Sequence, residues 1–427
     1  MRQALHSRPG ALPMANSDDS DTSCSSDAAP PCPPVRVATA DELGTLRVIE
    51  VPAGDKWDDA QIVGKWGKPD REQGIDVLCS SQRAPDDTED TCFCISRVDG
   101  HMELLDPFSG AVLGQAAAWR PGSGGLSSES ARVRHIQPLW RNAEGRMRIL
   151  SCCRSGVVRV HQHPNDGGHM LKETASFGAA LAINCANVDQ EERLVAVGGE
   201  GSELRVWDLQ AQRSLFEGRP PKPHAAYNHV DAAYLTAMSF VPRTESKLVA
   251  VGTAFHKMRL YDLRVHGRRP VFEMKWKEAR ITCLMPEPSG ICIWLANGTG
   301  QIESLDLRKR VIDGSLKGQI SGSVRALTAH PSRPLVASAS LDRFIRIHHP
   351  VTRKLLLKKY VKYQLTGVGF LPPLDDWEGD DDDDDDEEEV GEQQDVSPRE
   401  RRKRGVADCD AVHGSEERRK KGLRASE

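Results

Sequence analysis

The stretch LVAVGGEGSELRVWDLQ, residues 194–210, contains the pattern that decides the fold. Its second half alternates apolar and polar side chains through Leu204, Arg205, Val206 and Trp207, and the alternation stops at Asp208. Alternation with a period of two is typical of a strand that buries one face, and Asp favours the turn that ends it. The stretch therefore predicts a strand followed by a tight turn.

The same unit recurs further along the chain. KLVAVGTAFHKMRLYDLR, residues 247–264, ends its strand with Tyr261 and Asp262, and GICIWLANGTGQIESLDLR, residues 290–308, ends its strand with Leu305 and Asp306. We call the residue pair that ends each such strand the anchor. Four further stretches fit the same register, with their anchors at 49–50, 105–106, 161–162 and 348–349.

The spacing of the seven anchors predicts the architecture. Their second residues stand at 50, 106, 162, 208, 262, 306 and 349, so the intervals are 56, 56, 46, 54, 44 and 43 residues. Such intervals are typical of a four-stranded propeller blade with loops of variable length. An Arg stands three residues before the anchor in five units, at Arg47, Arg159, Arg205, Arg259 and Arg346. The sequence therefore predicts an all-β, seven-bladed β-propeller.

The two ends of the repeat predict how the ring closes. Residues 35–51 supply only a hairpin before the first anchor, and YQLTGVGFLP, residues 363–372, supplies one strand after the last. A shared blade built from both would remove the open sheet edge. We therefore expect a propeller over residues 35–372, flanked by disordered segments at 1–34 and 373–427, the latter acidic and then basic.

Two anchors contain histidine, which raises the question of a metal or catalytic site. His161 and His348 occupy the position held by Trp207 and Tyr261, where a flat ring with a polar tip packs between blades and can hydrogen-bond within its own blade. The two histidines fall in different predicted blades, so they are too far apart to bind the same metal ion. A structural role is favoured over a proton-sensitive surface contact, and a metal or catalytic role is the weakest alternative. The predicted structural anchors are Trp207, Asp208, Tyr261, Asp262, Asp306, Asp342 and His348.

Composition narrows the class of protein. Residues 375–389 hold 13 acidic and no basic residues, so the rest of the chain carries a net charge of about +8. The 11 cysteines form no CxxC pair, and most lie in apolar runs, which favours a reducing compartment. No signal peptide, membrane span, P-loop, GxSxG or HExxH motif is present, so we expect a soluble, non-secreted and non-enzymatic protein without cofactor, metal or small-molecule substrate.

Basic residues gather around the last repeat, where Tyr360 and Tyr363 are interleaved with them. This set is a candidate surface for RNA phosphates or an acidic partner, and the alternative is a solvated strand face with extended Lys stems. Its members are Arg325, Arg343, Arg346, Lys354, Lys358, Lys359 and Lys362.

Two basic clusters in the last 30 residues are typical of a two-part nuclear-import signal, or of a non-specific contact with nucleic acid. The residues are Arg401, Arg402, Lys403, Arg404, Arg418, Arg419, Lys420 and Lys421.

The anchor motifs LRVWDLQ, RLYDLR and SLDRFIRIHH resemble those of WD-repeat proteins. Residues 298–365 are similar to the closing blades of the WD repeat-containing protein 74 family, also called the Nop seven-associated protein 1 family. The similar stretches are GTGQIESLDLRKR, SGSVRALTAHPSRPLVASASLDRFIRIHH and KKYVKYQL. The resemblance covers roughly residues 35–372. It does not extend to the N-terminal Ser/Asp/Pro-rich segment or to the Asp run.

The resemblance implies a nucleolar assembly factor of the large (60S) ribosomal subunit, active in rRNA processing. Its implied partners are proteins of the pre-60S particle, pre-ribosomal RNA and an AAA-type ATPase that releases it. The sequence also leaves an alternative function open. LYDLR, ending at Arg264, fits the short aromatic-Asp-x-Arg motif of WD-repeat proteins that are substrate receptors of cullin-RING ubiquitin ligases.

Overall fold

The structure is a computed structural model of the 427-residue chain. It describes residues 32–81, 91–118, 128–141, 146–163, 168–223 and 231–372. The predicted segments 1–34 and 373–427 lie outside the described residues, apart from 32–34, and so do both basic clusters of the predicted import signal.

The described residues are almost entirely strands and turns. The strands of the first half are β1 (Val35–Asp41), β2 (Leu46–Val51), β3 (Gln61–Trp66), β4 (Ile75–Ser81), β5 (Cys92–Arg97), β6 (Met102–Leu105), β7 (Val112–Ala116), β8 (Val133–Leu139), β9 (Arg148–Cys153), β10 (Val157–Gln162), β11 (Lys172–Gly178), β12 (Cys185–Val188), β13 (Leu194–Gly199) and β14 (Ser202–Asp208).

The second half continues with β15 (Arg213–Glu217), β16 (Leu235–Phe240), β17 (Leu248–Thr253), β18 (Lys257–Asp262), β19 (Phe272–Lys275), β20 (Ile281–Pro286), β21 (Cys292–Asn297), β22 (Ile302–Asp306), β23 (Val311–Ser315), β24 (Val324–Ala329), β25 (Val336–Ser340), β26 (Phe344–His348), β27 (Leu355–Tyr360) and β28 (Leu365–Leu371). Two 3-10 turns, Trp57–Asp59 and Arg71–Gln73, and one helical turn, α1 (Ser128–Ala131), lie in the connections. None of the helical segments described is long and apolar enough to cross a membrane.

Seven antiparallel four-stranded sheets form the blades of a β-propeller. Blade 1 has the order β28-β1-β2-β3, and blades 2 to 7 each take four consecutive strands, from β4–β7 in blade 2 to β24–β27 in blade 7. The first strands of successive blades contact one another in a closed cycle, from β28 through β4, β8, β12, β16, β20 and β24 back to β28. The predicted seven-bladed propeller is confirmed, and each anchor ends the third strand of its blade.

The ring closes in blade 1, where the two ends of the domain pair. Val37 pairs with Ile49 of the N-terminal hairpin on one side and with Phe370 of β28 on the other. The predicted hairpin and C-terminal strand are therefore present. A third N-terminal strand, β3, completes the blade and was not predicted, because most of its side chains are exposed and show no buried alternation.

Adjacent blades are held together by apolar side chains that point from one sheet to the next. Ile345 and Ile347 of β26 pack against Val37 and Ile49 of blade 1, in a cluster that also contains Phe370. Burial of apolar area of this kind contributes roughly 25 cal/mol per Å². Seven such interfaces replace a central core, so each blade depends on its neighbours.

Because successive strands in each blade are antiparallel, the connections between strands alternate between the two ends of the blade. Turns between the second and third strands lie at the same end as the links to the next blade, and we call this the linker end. Turns between the first and second strands and between the third and fourth strands lie at the opposite end, which we call the turn end. In blade 7, Arg343 and Lys362 are at the linker end and Lys354 is at the turn end.

Candidate interaction surface

A buried ion pair holds the turn between the second and third strands of blade 7. Arg346 Nη2 donates to Asp342 Oδ2 at 2.6 Å and to the carbonyl oxygen of Gln319 at 3.0 Å, and the Ser340 hydroxyl donates to Asp342 Oδ1. Asp342 also accepts the backbone N–H of Phe344 at 3.2 Å. Although burial opposes ionisation, the hydrogen bonds from Arg346 and Ser340 keep the pKa of Asp342 below its usual value.

The recurring Arg has the same structural role in other blades. Arg47 donates to Asp41 at 2.8 Å in blade 1, and Arg259 donates to Glu273 at 2.7 Å in blade 5. Arg159 of blade 3 contacts Glu173 at 2.7 Å. Only 1 to 7% of each of these residues is exposed, so in four of the five units, including blade 7, the recurring Arg is a buried partner for a carboxylate. The fifth, Arg205, is half-buried and donates to the carbonyl oxygen of Ala179 at 3.4 Å.

The aromatic anchors contact the preceding blade. Trp207 Nε1 donates to the carbonyl oxygen of Ala179 at 3.1 Å, just after blade 3, and the Tyr261 hydroxyl donates to Glu203 of blade 4 at 3.1 Å. The expectation that these rings hydrogen-bond within their own blade is therefore wrong for both. The physical reason is that both rings lie on the face of the third strand that packs against the preceding blade. The N–H or O–H group of each ring therefore finds its acceptor in that blade or just after it.

The anchor aspartates organise the turns that follow them. Asp208 accepts the backbone N–H groups of Gln210 and Ala211 at 2.9 and 2.8 Å, and Asp306 accepts those of Arg308 and Lys309 at 2.8 and 2.9 Å. Asp262 accepts from Arg264 N at 3.0 Å. These contacts are Asx-type turns, which satisfy backbone donors without other strands.

The two anchor histidines are buried, and each contacts a group of the protein. His348 Nε2 donates to the carbonyl oxygen of Lys317 at 2.9 Å, and His161 lies 3.0 Å from Arg159. Burial lowers the pKa of each to about 4, so both are neutral near pH 7. Among the described residues, no cluster of His, Cys, Asp and Glu could hold a metal ion.

The basic residues predicted to form one surface lie at different places in blade 7. Arg343 and Lys362 lie close together at the linker end, where Val361 N donates to the carbonyl oxygen of Arg343 at 2.9 Å. Lys358 lies on the outer strand β27, whereas Lys354 lies at the turn end and Arg325 lies on the inner strand β24.

Two members of that set do not belong to an open surface. Arg346 is only 1% exposed and is held by Asp342, so its assignment to a partner-binding surface is wrong. Lys359 is half-buried and donates to the carbonyl oxygen of Ala60 at 2.7 Å, which ties β27 to blade 1. Neighbouring Lys358 and Lys359 point to opposite faces of the strand, as the pleat requires.

The remaining basic residues surround an aromatic pair. The rings of Phe344 and Tyr360 are 5.3 Å apart, and Lys358 Nζ lies 4.7 Å from the centre of the Phe344 ring. Tyr360 is 51% exposed, which is unusual for so large a ring. We call Arg343, Phe344, Lys358, Tyr360 and Lys362 the Tyr360 patch. A cationic and aromatic surface of this kind suits phosphate contacts combined with base stacking.

A second basic surface lies at the turn end and was missed in the sequence. Arg308, Lys309 and Arg310 are all exposed in the turn after the blade 6 anchor, and Arg353 of blade 7 pairs with Asp313 of blade 6 at 3.0 Å. The sequence DLRKR contained the signal, but it was interpreted only as the end of a strand. Arg264, the last residue of the ubiquitin-ligase box, is exposed and forms a two-pronged pair with Asp262 at 2.7 and 2.9 Å.

The ring of seven blades, in four of which the third strand ends at an anchor Asp, defines a WD-repeat propeller, and the family model described as WD domain, G-beta repeat matches residues 311–349. That match runs from β23 to the end of β26, so the sequence repeat is offset by one strand from the blade.

Curated relatives define the family. WD repeat-containing protein 74 of Homo sapiens is 31% identical over 322 residues, which cover 74% of this chain and 76% of the relative. The Bos taurus protein of the same name is 30% identical over 323 residues, covering 74% and 76%. Ribosome biogenesis protein nsa1 of Schizosaccharomyces pombe is 22% identical over 365 residues, covering 78% and 88%. The chain belongs to the WD repeat-containing protein 74 family.

Proposed function

We propose that this protein is a non-enzymatic scaffold in the assembly of the large ribosomal subunit. Family membership carries the proposal, together with a relative whose name is ribosome biogenesis protein. The proposed location is the nucleus and nucleolus, and the proposed partners are proteins of the pre-60S particle and pre-ribosomal RNA. Release by an AAA-type ATPase belongs to the same proposal.

The Tyr360 patch supports a direct contact with RNA. Lys358 and Lys362 offer positive charge to phosphates, and the exposed ring of Tyr360 offers a face on which a base can stack. Base stacking on an aromatic ring contributes about 1–3 kcal/mol, and each phosphate contact makes the affinity depend more steeply on salt. Because the patch is confined to one end of blade 7, the rest of the ring is left for protein partners.

Sedimentation of the tagged protein from nuclear extract tests the assembly role. We expect the protein to migrate with particles of large-subunit size and to leave them after RNase treatment. A light peak that RNase does not change would contradict the proposal and would favour the ubiquitin-ligase alternative.

Substitutions in the patch test the RNA contact. In an RNA-binding titration, Tyr360→Ala with Lys358→Glu should weaken binding and make its salt dependence shallower, by about 0.7–0.9 per lost phosphate contact. Lys354→Glu, an exposed Lys in the turn that precedes the same strand, is the control. Equal losses in both variants would show that the patch has no special role.

A further inference from the structure

A cavity of about 450 Å³ opens at the turn end between blades 6 and 7. Blade 6 contributes Glu287 and Trp294, and blade 7 contributes the turns at residues 329–336 and 350–353. The size falls within the range of roughly 300–1,000 Å³ that is typical of sites enclosing a bound group. Val351 stands at the rim with 78% of its surface exposed, so the apolar wall continues to the mouth of the cavity.

The basic side chains in the cavity wall are already paired or neutral. Arg353 donates to Asp313 at 3.0 Å, and Arg333 pairs with Asp55 of blade 1. His330 is neutral near pH 7, because burial lowers its pKa to about 4. The charges of these groups therefore cancel within the wall.

Glu287 brings an unbalanced negative charge into the cavity. It is half-buried, and it forms no ion pair with any residue that the structure describes, since nearby Arg353 is bound to Asp313. The buried Trp294 donates its indole N–H to the Glu287 carboxylate and holds it in place. Burial raises the pKa of Glu287, as expected for a carboxylate removed from water without a counter-ion. A cation inside the cavity would restore the balance.

The surroundings of Glu287 favour an ammonium group on an apolar stem. Met285, Leu335 and Val336 are buried side chains of the wall, and methylene groups can pack against them. A guanidinium forms its strongest pair with both oxygens of a carboxylate, and one side of Glu287 is already used by Trp294. An ammonium group is a compact point charge that needs only one oxygen. The cavity therefore suits lysine better than arginine.

The neighbouring basic turn at residues 308–310 leaves the cavity open to such a group. Arg310 is turned toward blade 5, where its guanidinium lies 5.3 Å from the centre of the Phe272 ring. Lys309 Nζ lies 3.9 Å from Asp306 of its own turn. The residues of this turn are not among those that line the cavity, and salt screens exposed charges at a distance.

We propose that the cavity between blades 6 and 7 binds the side chain of a lysine on the surface of a partner protein. The ammonium group pairs with Glu287, and the four-carbon stem packs against Met285, Leu335 and Val336. The site gives the scaffold a specific docking point for a protein at the turn end. It does not depend on the RNA contact proposed for the Tyr360 patch.

An NMR titration of the intact chain with two small probes tests the site. The probes are the Nα-acetyl methylamides of lysine and norleucine, which share a four-carbon stem and differ in the ammonium group. The indole N–H signal of Trp294, assigned with Trp294→Phe, reports binding beside Glu287. Because hydrogen bonds between charged groups are stronger than others, we expect the lysine probe to bind about tenfold more tightly than the norleucine probe.

Matched variants locate the charge that is recognised. Glu287→Gln keeps the shape of the side chain and an acceptor for Trp294, and it should remove the preference for lysine. Glu245→Gln, which changes an exposed carboxylate in a turn of blade 5, should leave that preference unchanged. Circular dichroism melts establish that both variants are folded.

Four results would overturn the proposal. They are no shift of the Trp294 signal with the lysine probe, equal affinities for lysine and norleucine, a preference for lysine that survives Glu287→Gln, and tighter binding of the corresponding arginine probe.

Discussion

At the scale of single residues, the buried arginines explain how strand turns are held in a fold without a central core. Arg346 bridges Asp342 and the carbonyl oxygen of Gln319, which precedes blade 7, so one guanidinium fixes a turn and the link to the previous blade together. Arg259 similarly reaches Glu203 of blade 4 at 3.3 Å. Removing one partner leaves the other charge buried without compensation, which is more costly than losing an exposed pair.

Replacing Asp342 with Ala should therefore destabilise the propeller strongly. We expect a loss of about 3–5 kcal/mol in the free energy of unfolding, because Arg346 would remain buried and unpaired. Urea denaturation followed by tryptophan fluorescence measures the change. Asp313→Ala removes the exposed pair with Arg353 and should cost about 0–1 kcal/mol. Similar losses in the two variants would argue against a structural role for the buried pair.

The buried histidines predict how stability depends on pH. In the folded chain the pKa of His348 is about 4, whereas the value in an unfolded chain is about 6.5. The unfolded state therefore binds the proton first, so the contribution of His348 is complete above about pH 6.5 and is lost as the pH falls toward 4. His348→Gln should show a shallower fall in melting temperature between pH 6.5 and 4 than wild type. An identical slope would exclude titration of this residue.

At the scale of strands, β28 is the element on which ring closure depends. It pairs with β1, and its glycines allow it to approach β4 of blade 2 closely, because a Cβ at Gly367 would stand 2.6 Å from the Cβ of Leu78. A Cβ at Gly369 would meet Ser80 Oγ at the same distance. Both glycines are thus required by packing between blades.

Gly367→Ala should loosen the contact between blades 1 and 2. We expect a cost of about 1–3 kcal/mol from overpacking, and faster hydrogen exchange in β28 and β4. Gly178→Ala on β11 is the matched control, because a Cβ there meets no atom within 4 Å. Equal exchange rates in the two variants would show that blade 2 moves aside at little cost.

Strand alternation predicted the third strands but failed for a strand with both faces exposed and for side chains covered by a neighbouring blade. The anchors located the third strand of every blade because its apolar alternation ends at an aliphatic or ring side chain followed by a polar residue. β3 was missed because its side chains face solvent, and Arg346 was placed on a surface because alternation does not tell which blade covers which face. The pair of Arg353 with Asp313 could not be predicted, because only closure of the ring brings blades 6 and 7 together.

At the scale of the whole molecule, exposed basic residues lie at both ends of the ring. The Tyr360 patch lies at the linker end of blade 7, while the basic turns of blades 6 and 7 lie at the turn end. The RNA contact proposed at the linker end would therefore leave the turn end free for a protein partner.

Arg264 distinguishes the two candidate functions. Its guanidinium is paired with Asp262 of its own turn, so Arg264→Ala should leave stability nearly unchanged and should not alter association with large-subunit precursors. Affinity purification followed by mass spectrometry measures this association. Stoichiometric recovery of a cullin complex with the wild-type chain, lost in Arg264→Ala, would instead support the ubiquitin-ligase alternative.

The pairing of β1 with β28 also has a consequence for synthesis of the chain. Val37 and Phe370 are neighbours in blade 1 but are separated by more than 300 residues of sequence. At about 5–20 residues per second, the ribosome needs roughly 15–70 s to make the partner that β1 requires. During that interval β1 has an unpaired edge in every nascent chain, and an open strand edge of this kind can pair with another chain.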